Sequence, residues 1–198
     1  DEWLSYAPPE TLSYFMYQNP RRAKKLFLEV IPKSTDEFLS HLNKFNEQSN
    51  EEKIENPFWH ISNGVNSYGN MPISYNLILN LVSASGTSNP NIIFDFIQKY
   101  VGKIDEKSQN FIVMLIEGVM NYYNNVVKDT INFKKPNSEE ILIFEDMAER
   151  LAKMSTNLSS EDIQTEIYQI GKDHNFENLR DWFKLIYQVL FGKNEGPR

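Results

Sequence analysis

The feature that most constrains the fold of this chain is a helical spacing of apolar residues that runs almost without interruption from Met71 to Phe191. Apolar side chains recur three and four positions apart, which is the period that gives an α-helix one apolar stripe. Asn89, Asp105 and Ser159 stand at predicted helix starts, and the Ser-x-x-Asp pattern that begins at Ser159 is typical of a capped first turn. The predicted helices cover roughly residues 73–82, 90–100, 105–128, 138–154, 159–170 and 177–191. They have no fixed repeat length, so the pattern predicts a bundle or cage and not a solenoid.

The first part of the sequence predicts a small mixed segment, of helix and possible strand, in front of this helical region. A helix is expected over residues 10–17, after Pro9. Residues 26–31 are a short apolar run that predicts a strand or an extended connector. Ser34 or Thr35 is expected to cap a second helix that ends near Phe45, and residues 46–55 are expected to form a polar loop. We therefore predict a mainly α protein that divides into residues 1–45 and 46–198.

Two further features concern helix ends and packing. Glycines such as Gly86, Gly102 and Gly171 are predicted to end helices, since glycine adopts the left-handed conformation found after a last turn. Trp182 and Phe183 are predicted to anchor the last helix in a core. Tyr122, Tyr123, Trp59 and Trp182 could stack on unpaired bases, but aromatic residues at helical spacing more often belong to a core.

Composition excludes several kinds of active site. The chain has no Cys, which removes disulfides, thiol nucleophiles and Cys-ligated zinc, and its three His are not spaced as a metal-ligand set. No phosphate-binding glycine loop, nucleophile elbow or His-Glu-x-x-His motif is present. We predict no catalytic residue and no metal or cofactor site in this chain. No apolar run is long enough to span a bilayer and no signal-peptide pattern is present, so we expect a cytoplasmic protein without a membrane partner.

The net charge of −7 disfavours indiscriminate binding to polyanions, so a nucleic-acid interface would need its cations concentrated on one face. The densest basic cluster consists of Arg21, Arg22, Lys24 and Lys25, which follow a predicted helix and Pro20. Arg side chains can bind a phosphate through two hydrogen bonds. The cluster is therefore either a phosphate-binding site or an ordinary solvated turn, and its spacing alone leaves both open.

The same residues carry a resemblance to a known family. Class I lysyl-tRNA synthetases have, just after their KMSKS signature loop, a segment that resembles Asp1-Glu2-Trp3-Leu4-x-Tyr6-Ala7-Pro8-Pro9-Glu10-x-Leu12. The likeness continues through Pro20-Arg21-Arg22-Ala23-Lys24 and Met71-Pro72-Ile73-Ser74-Tyr75. It returns in the late signature Leu185-Ile186-Tyr187-Gln188-Val189-Leu190-Phe191-Gly192-x-x-x-Gly196-Pro197-Arg198.

This resemblance implies ATP-dependent attachment of lysine to tRNA(Lys), with Mg²⁺ and ATP used by a nucleotide-binding domain that lies N-terminal to this segment. We accordingly expect the chain to be cut at both ends and to lack that catalytic domain. It would hold a stem-contact segment over residues 1–45 and an α-helix-cage anticodon-binding region over residues 46–198. Its partner would be tRNA(Lys), and the fragment alone would be inactive. The resemblance assigns Arg21, Arg22, Lys24 and Lys25 to the tRNA backbone.

The anticodon assignment comes from related glutamyl-tRNA synthetases, which have a similar Leu-Thr-Gly-x-x-x-x-Pro stretch near the anticodon loop. Gly192 and Pro197 match its Gly and Pro, but Phe191 replaces the Thr. The resemblance thus implies anticodon contacts by Tyr187, Gly196, Pro197 and Arg198, with a simple helix-connecting turn as the alternative. For the whole chain, the alternative is an α-helical protein-interaction module without catalytic activity.

Overall fold

The computed structural model describes residues 2–154 and 158–195. Over these ranges the chain consists of helices joined by short connections, and no strand occurs among them, so the mainly α prediction is confirmed. The chain forms two compact units, Asp1–Thr130 and Ile131–Arg198. The predicted functional division between residues 45 and 46 stays a prediction.

The first unit contains seven α-helices among its described residues: α1 Pro9–Tyr17, α2 Ile31–Glu47, α3 Asn50–Glu55, α4 Pro57–Ser62, α5 Tyr75–Ser85, α6 Pro90–Val101 and α7 Glu106–Tyr122. Short 3-10 turns cover Trp3–Ser5, Leu28–Val30 and Lys128–Thr130, and a π-helical turn covers Tyr123–Val127.

Helix α7 lies at the centre of the first unit and packs against α5 and α6. Ile112, Leu115, Ile116 and Val119 form a fully buried stripe on it, and burying each such side chain stabilises the fold by about 1.5–3 kcal/mol. The N-terminal turn comes so close that a Cβ on Gly118 would lie 2.4 Å from the carbonyl oxygen of Tyr6. Gly118 therefore lets the start of the chain pack directly onto the core helix.

The predicted mixed segment is not confirmed, because residues 26–31 form no strand. Leu28–Val30 is a 3-10 turn that leads directly into α2 at Ile31. Pro32 fits this start, since a first helical turn does not need its missing N–H. The prediction that Ser34 or Thr35 caps the helix was wrong, because both side chains are buried within α2.

The predicted polar loop over residues 46–55 was also wrong. Helix α2 continues to Glu47, and α3 follows with a capping box in which Ser49 and Glu52 satisfy each other's backbone N–H groups. The Asn56 side chain then accepts a hydrogen bond from Phe58 N–H at the start of α4. Polar side chains in this stretch cap helices, which explains why a high polar content coexists with helical structure.

The second unit contains α8 Ser138–Lys153, α9 Ser160–Asp173 and α10 Leu179–Leu190 in the part that is described. Trp182 is fully buried at the centre of this unit, as predicted, and its Nε1 donates to the Ile167 carbonyl oxygen at 2.8 Å. Phe183 packs against this core while partly exposed. The prediction that Gly171 ends a helix was wrong, because Gly171 lies inside α9 and faces the Trp182 ring.

Candidate nucleic-acid interface

The basic cluster lies on a loop whose start is fixed by the end of α1. Gln18 donates its backbone N–H to Tyr14 O, and Asn19 adopts a left-handed conformation with a φ of 52°. Pro20 follows, and the Arg22 N–H closes the turn on Asn19 O at 3.1 Å. Asn tolerates the left-handed region better than most residues, which makes this turn locally favourable.

Two further contacts hold the loop to the helices. The Gln18 Nε2 donates to Tyr14 Oη at 2.7 Å and to Glu37 Oε2 of α2 at 2.8 Å. The Lys24 ammonium donates to Phe15 O, lies 3.4 Å from Met16 O and stands 4.8 Å above the Phe15 ring. A cation at these carbonyls satisfies the last turn of α1 and complements its dipole. Lys24 thus positions the loop, and its charge remains on the same patch.

The other three cations of the cluster point to solvent. Arg21, Arg22 and Lys25 are exposed, and no ion pair engages them within the described residues. The sequence has no acidic residue between Thr11 and Leu28. Unpaired cations on an anchored loop give a local positive field, although the net charge of the chain is negative. A phosphate-binding face requires this kind of local clustering of positive charge.

Exposed apolar and aromatic side chains flank these cations. Leu26 and Phe27 are more than half exposed, and the Tyr17 ring stacks on His60 of α4 with centroids 5.5 Å apart and planes 16° apart. His60 Nε2 lies 2.8 Å from Ile54 O. Sequence reasoning missed this stack, because Tyr17 and His60 are far apart in the chain and no local pattern joins them.

The candidate anticodon residues lie in the second unit. Tyr187 is half-buried on α10, with its ring 5.9 Å from that of Phe191, and its carbonyl oxygen accepts the N–H groups of Phe191 and Lys193. Gly192 has a φ of 62°, and a Cβ there would lie 2.3 Å from Ile131 Cγ2, so the turn after α10 requires glycine. Gly196, Pro197 and Arg198 lie outside the described residues.

The remaining aromatic candidates belong to the cores, as predicted. Trp182 and Tyr122 are buried, and Trp59 and Tyr123 pack against the first-unit core while partly exposed. In the described ranges, no group of three or more His, Asp or Glu side chains is arranged to hold a metal ion. None of the helices described there has the length and apolarity needed to cross a bilayer.

Comparison with known proteins finds a family match in the part of the chain that carries the basic loop. Residues 1–65, which include the basic loop, match the family described as tRNA synthetases class I (K). The resemblance to class I lysyl-tRNA synthetases is confirmed. Among similar curated proteins are the lysine–tRNA ligases of Rickettsia felis, 40% identical over 203 residues, and Rickettsia africae, 39% identical over 203 residues. Each alignment covers all of this chain, and the chain spans 38% of each relative's length.

The lysine–tRNA ligase likeness extends beyond the segment matched by the class I family. Helix α10 and Tyr187 fall outside residues 1–65 but inside the full-length alignments. Both groups of predicted tRNA contacts, one in each unit, therefore lie in sequence that is shared with lysine–tRNA ligases.

Proposed function

We propose that this chain is the tRNA-binding portion of a lysine–tRNA ligase, which attaches lysine to tRNA(Lys) at the expense of ATP. The observation that carries the proposal is the anchored, exposed basic loop inside the 65 residues that match the class I family. In this proposal a nucleotide-binding domain elsewhere in the protein uses ATP with Mg²⁺ and performs the chemistry. The present chain binds and orients tRNA, and it contributes no catalytic residue. We infer a cytoplasmic location from this role in protein synthesis alone.

The basic loop is proposed to bind the tRNA backbone. Arg21, Arg22 and Lys25 present their charged groups to phosphates, while Lys24 and Gln18 hold the loop against α1 and α2. Because the loop is tied at these points, little conformational entropy is lost when it binds, and more of the electrostatic attraction appears as affinity. Backbone contacts position a nucleic acid without reading its sequence.

Replacing both Arg21 and Arg22 with Ala tests this assignment. We expect the double variant to bind tRNA(Lys) and a non-cognate tRNA more weakly by similar factors. The dependence of log affinity on log salt should become less steep by about 1–2, since fewer counterions are released. The measurement is filter binding with labelled tRNA at several salt concentrations.

A matched control is Lys107→Ala combined with Lys128→Ala, which removes the same charge from exposed positions outside the loop. This control should retain most of the affinity and the original salt slope. Equal losses in the two double variants would show that only net charge matters. If the unaltered chain binds no tRNA, the alternative of an α-helical protein-interaction module is favoured.

The anticodon contact is a separate part of the proposal. We propose that Tyr187, Gly196, Pro197 and Arg198 lie against the anticodon loop, where unpaired bases are available for stacking and hydrogen bonding. In the whole ligase, Arg198→Ala should slow aminoacylation by the equivalent of about 1–3 kcal/mol, the scale of one stacked base, and leave lysine activation unchanged. The penalty should shrink on a tRNA with an altered anticodon. Equal penalties on both tRNAs would mean that Arg198 reads no base.

A further inference from the structure

A groove in the first unit lies apart from the basic loop and has no role in the contacts described so far. It runs between α2 and the segment 71–74, and it has a volume of about 490 Å³. This is within the range of about 300–1,000 Å³ that is typical of small-ligand sites. Its floor is apolar, with Leu39, Met71 and Ile73 almost completely buried.

The groove is held open by hydrogen bonds between its walls. The Asn43 side chain both donates to Met71 O at 2.7 Å and accepts from Met71 N at 2.8 Å. The Asp36 carboxylate accepts hydrogen bonds from Tyr75 N–H and from Asn76 Nδ2, the latter at 2.6 Å. These contacts join α2 to Met71 and to the start of α5, so the groove is preformed and its cost of ordering on binding is small.

The rim of the groove combines an aromatic ring with a cation, Lys44. Tyr100, at the end of α6, is 73% exposed, the highest value among the large apolar and aromatic side chains described. Lys44 and Ser40 line the same groove as Tyr100. Lys99 and Lys103 are close to Tyr100 in the sequence, and Lys103 lines a neighbouring cavity that shares Pro72 with the groove. Lys44 makes no ion pair within the described ranges. An exposed ring among cations is the combination that binds single-stranded nucleic acid, through base stacking and attraction to phosphate.

The acidic groups of the groove decide which part of a nucleotide would enter it. The Asp36 carboxylate accepts three hydrogen bonds at the groove wall, and Glu47 lies exposed at the end of α2. Two carboxylates disfavour a phosphate inside the groove, because like charges repel. They tolerate a neutral base, so the phosphate of the same nucleotide would lie at the rim, beside Lys44.

The groove and the basic loop lie along one exposed face of α2. Lys33, Ser40 and Lys44 are seven and four residues apart, so they share this face with Glu37, which pairs with Lys33 at 3.8 Å. Lys33 lines a second cavity together with Gln18 and Asn19, at the base of the basic loop. With a rise of about 1.5 Å per residue, Lys33 and Lys44 are roughly 16 Å apart along the helix. An RNA strand held at the loop therefore has to extend only over this distance to reach the groove.

We propose that this groove binds an unpaired nucleotide of the bound tRNA, with the base stacked on Tyr100 and its phosphate beside Lys44. The inference rests on the proposed tRNA-binding function and adds a contact to it. The same base chemistry could be supplied by a free nucleotide such as ATP, so the experiment includes both ligands.

The test measures binding of labelled tRNA(Lys) to the Tyr100→Ala, Tyr100→Phe and Phe96→Ala variants of this chain. Tyr100→Ala should weaken binding by about tenfold or more, which is the scale expected for one stacked base. Tyr100→Phe keeps the ring and should bind within about twofold of the unaltered chain. Phe96→Ala removes a 44% exposed ring one turn earlier on α6, outside the groove, and should have little effect.

A second readout uses tRNA(Lys) that carries photoreactive 4-thiouridine, with the crosslinked peptide identified by mass spectrometry. A crosslink within residues 99–103 that disappears in Tyr100→Ala supports the groove. Normal tRNA affinity in Tyr100→Ala, together with loss in the Arg21 and Arg22 double variant, would overturn this inference and leave the proposed function intact. Tyr100-dependent binding of ATP that competes with tRNA would assign the groove to a free nucleotide. Failure of the unaltered chain to bind any tRNA would overturn both proposals.

Discussion

Gly171 shows how one residue can fix the packing of the second unit. It lies inside α9, and a Cβ at this position would stand 2.5 Å from Trp182 Cδ1 and 2.9 Å from Cγ. Trp182 is fully buried and donates to the Ile167 carbonyl oxygen of the same helix, so its ring cannot move away without losing that hydrogen bond. The absent side chain of Gly171 is therefore what lets α10 approach α9.

We predict that Gly171→Ala destabilises the protein. In an exposed helix, Gly→Ala stabilises by about 1 kcal/mol through helix propensity. Here the added methyl group overpacks a filled core, which destabilises a protein by about 1–3 kcal/mol. Because the neighbour is a buried Trp ring, we expect this cost to exceed the gain from helix propensity. Urea unfolding followed by circular dichroism should show an earlier transition. Lys172→Ala, at the next and exposed position, should change little, and a later transition in Gly171→Ala would contradict this account.

At the scale of elements, α8 and α9 are joined by a cluster of charges around Arg150. The Arg150 guanidinium lies 3.1 Å from Asp146, 3.5 Å from Glu166 and 2.7 Å from Asp173. His174, just after α9, lies 2.8 Å from Asp146 Oδ2. The hydrogen bond with His174 and those with Arg150 hold the pKa of Asp146 below its ordinary value of 3.8. A network of this kind contributes more than isolated surface pairs do.

The pH dependence of stability tests this network. Because the pKa of Asp146 is lower in the folded state, its ionised form stabilises the fold at pH values above the ordinary value, and this contribution is lost as the pH falls through the folded pKa. Asp146→Asn should therefore lower the free energy of unfolding at pH 6, and the difference from the unaltered protein should shrink below about pH 4. Denaturant titrations between pH 2.5 and 7 measure this.

The control for this prediction is Glu149→Gln on the same helix. Glu149 pairs with Lys153 at 2.5 Å, but both side chains are about two-thirds or more exposed, so the pair should contribute little at any pH. A loss in Glu149→Gln as large as that in Asp146→Asn would mean that the total charge of α8 matters and the contact with His174 does not.

At the scale of the whole molecule, the two units have cores of very different size. The first unit buries a continuous cluster that extends from Trp3 to Tyr122, with α7 at its centre. The second unit has four buried hydrophobic side chains among its described residues: Ile170, Trp182, Leu185 and Ile186. Helix α8 has no fully buried residue, although it carries a long apolar stripe. Since buried apolar area is the main stabilising contribution to folding, local opening should be easier in the second unit.

Amide hydrogen exchange should reveal this difference. We expect the slowest exchange in α7, around Leu115 and Ile116, because these amides are released only when the large core opens. Peptides from α8 should exchange faster by at least about tenfold, which corresponds to a difference of about 1.4 kcal/mol in opening free energy. Mass spectrometry at neutral pH gives both rates in one sample. Similar protection in α7 and α8 would contradict the proposed difference in stability.

Local sequence patterns predicted most of the helices and many of their ends, with α3 and α4 as the exceptions. Apolar spacing predicted α5 to α10, and the helix starts expected at Asn89, Asp105 and Ser159 are confirmed, since these residues are the observed N-caps. These signals are readable because a helical hydrogen bond, a capping contact and one helical period each involve residues at most about four positions apart. The basic cluster could likewise be recognised, since its charge density is a local property.

Features that join distant parts of the chain could be seen only in the folded protein. The Gln18 contact with Glu37 anchors the basic loop across 19 residues, and the His174 contact with Asp146 spans 28. The start of α2, the role of Gly171 and the inward orientation of Lys24 likewise depend on neighbours that no local pattern reveals. The physical reason is that packing and buried hydrogen bonding select among locally acceptable conformations by the surroundings that the whole fold supplies.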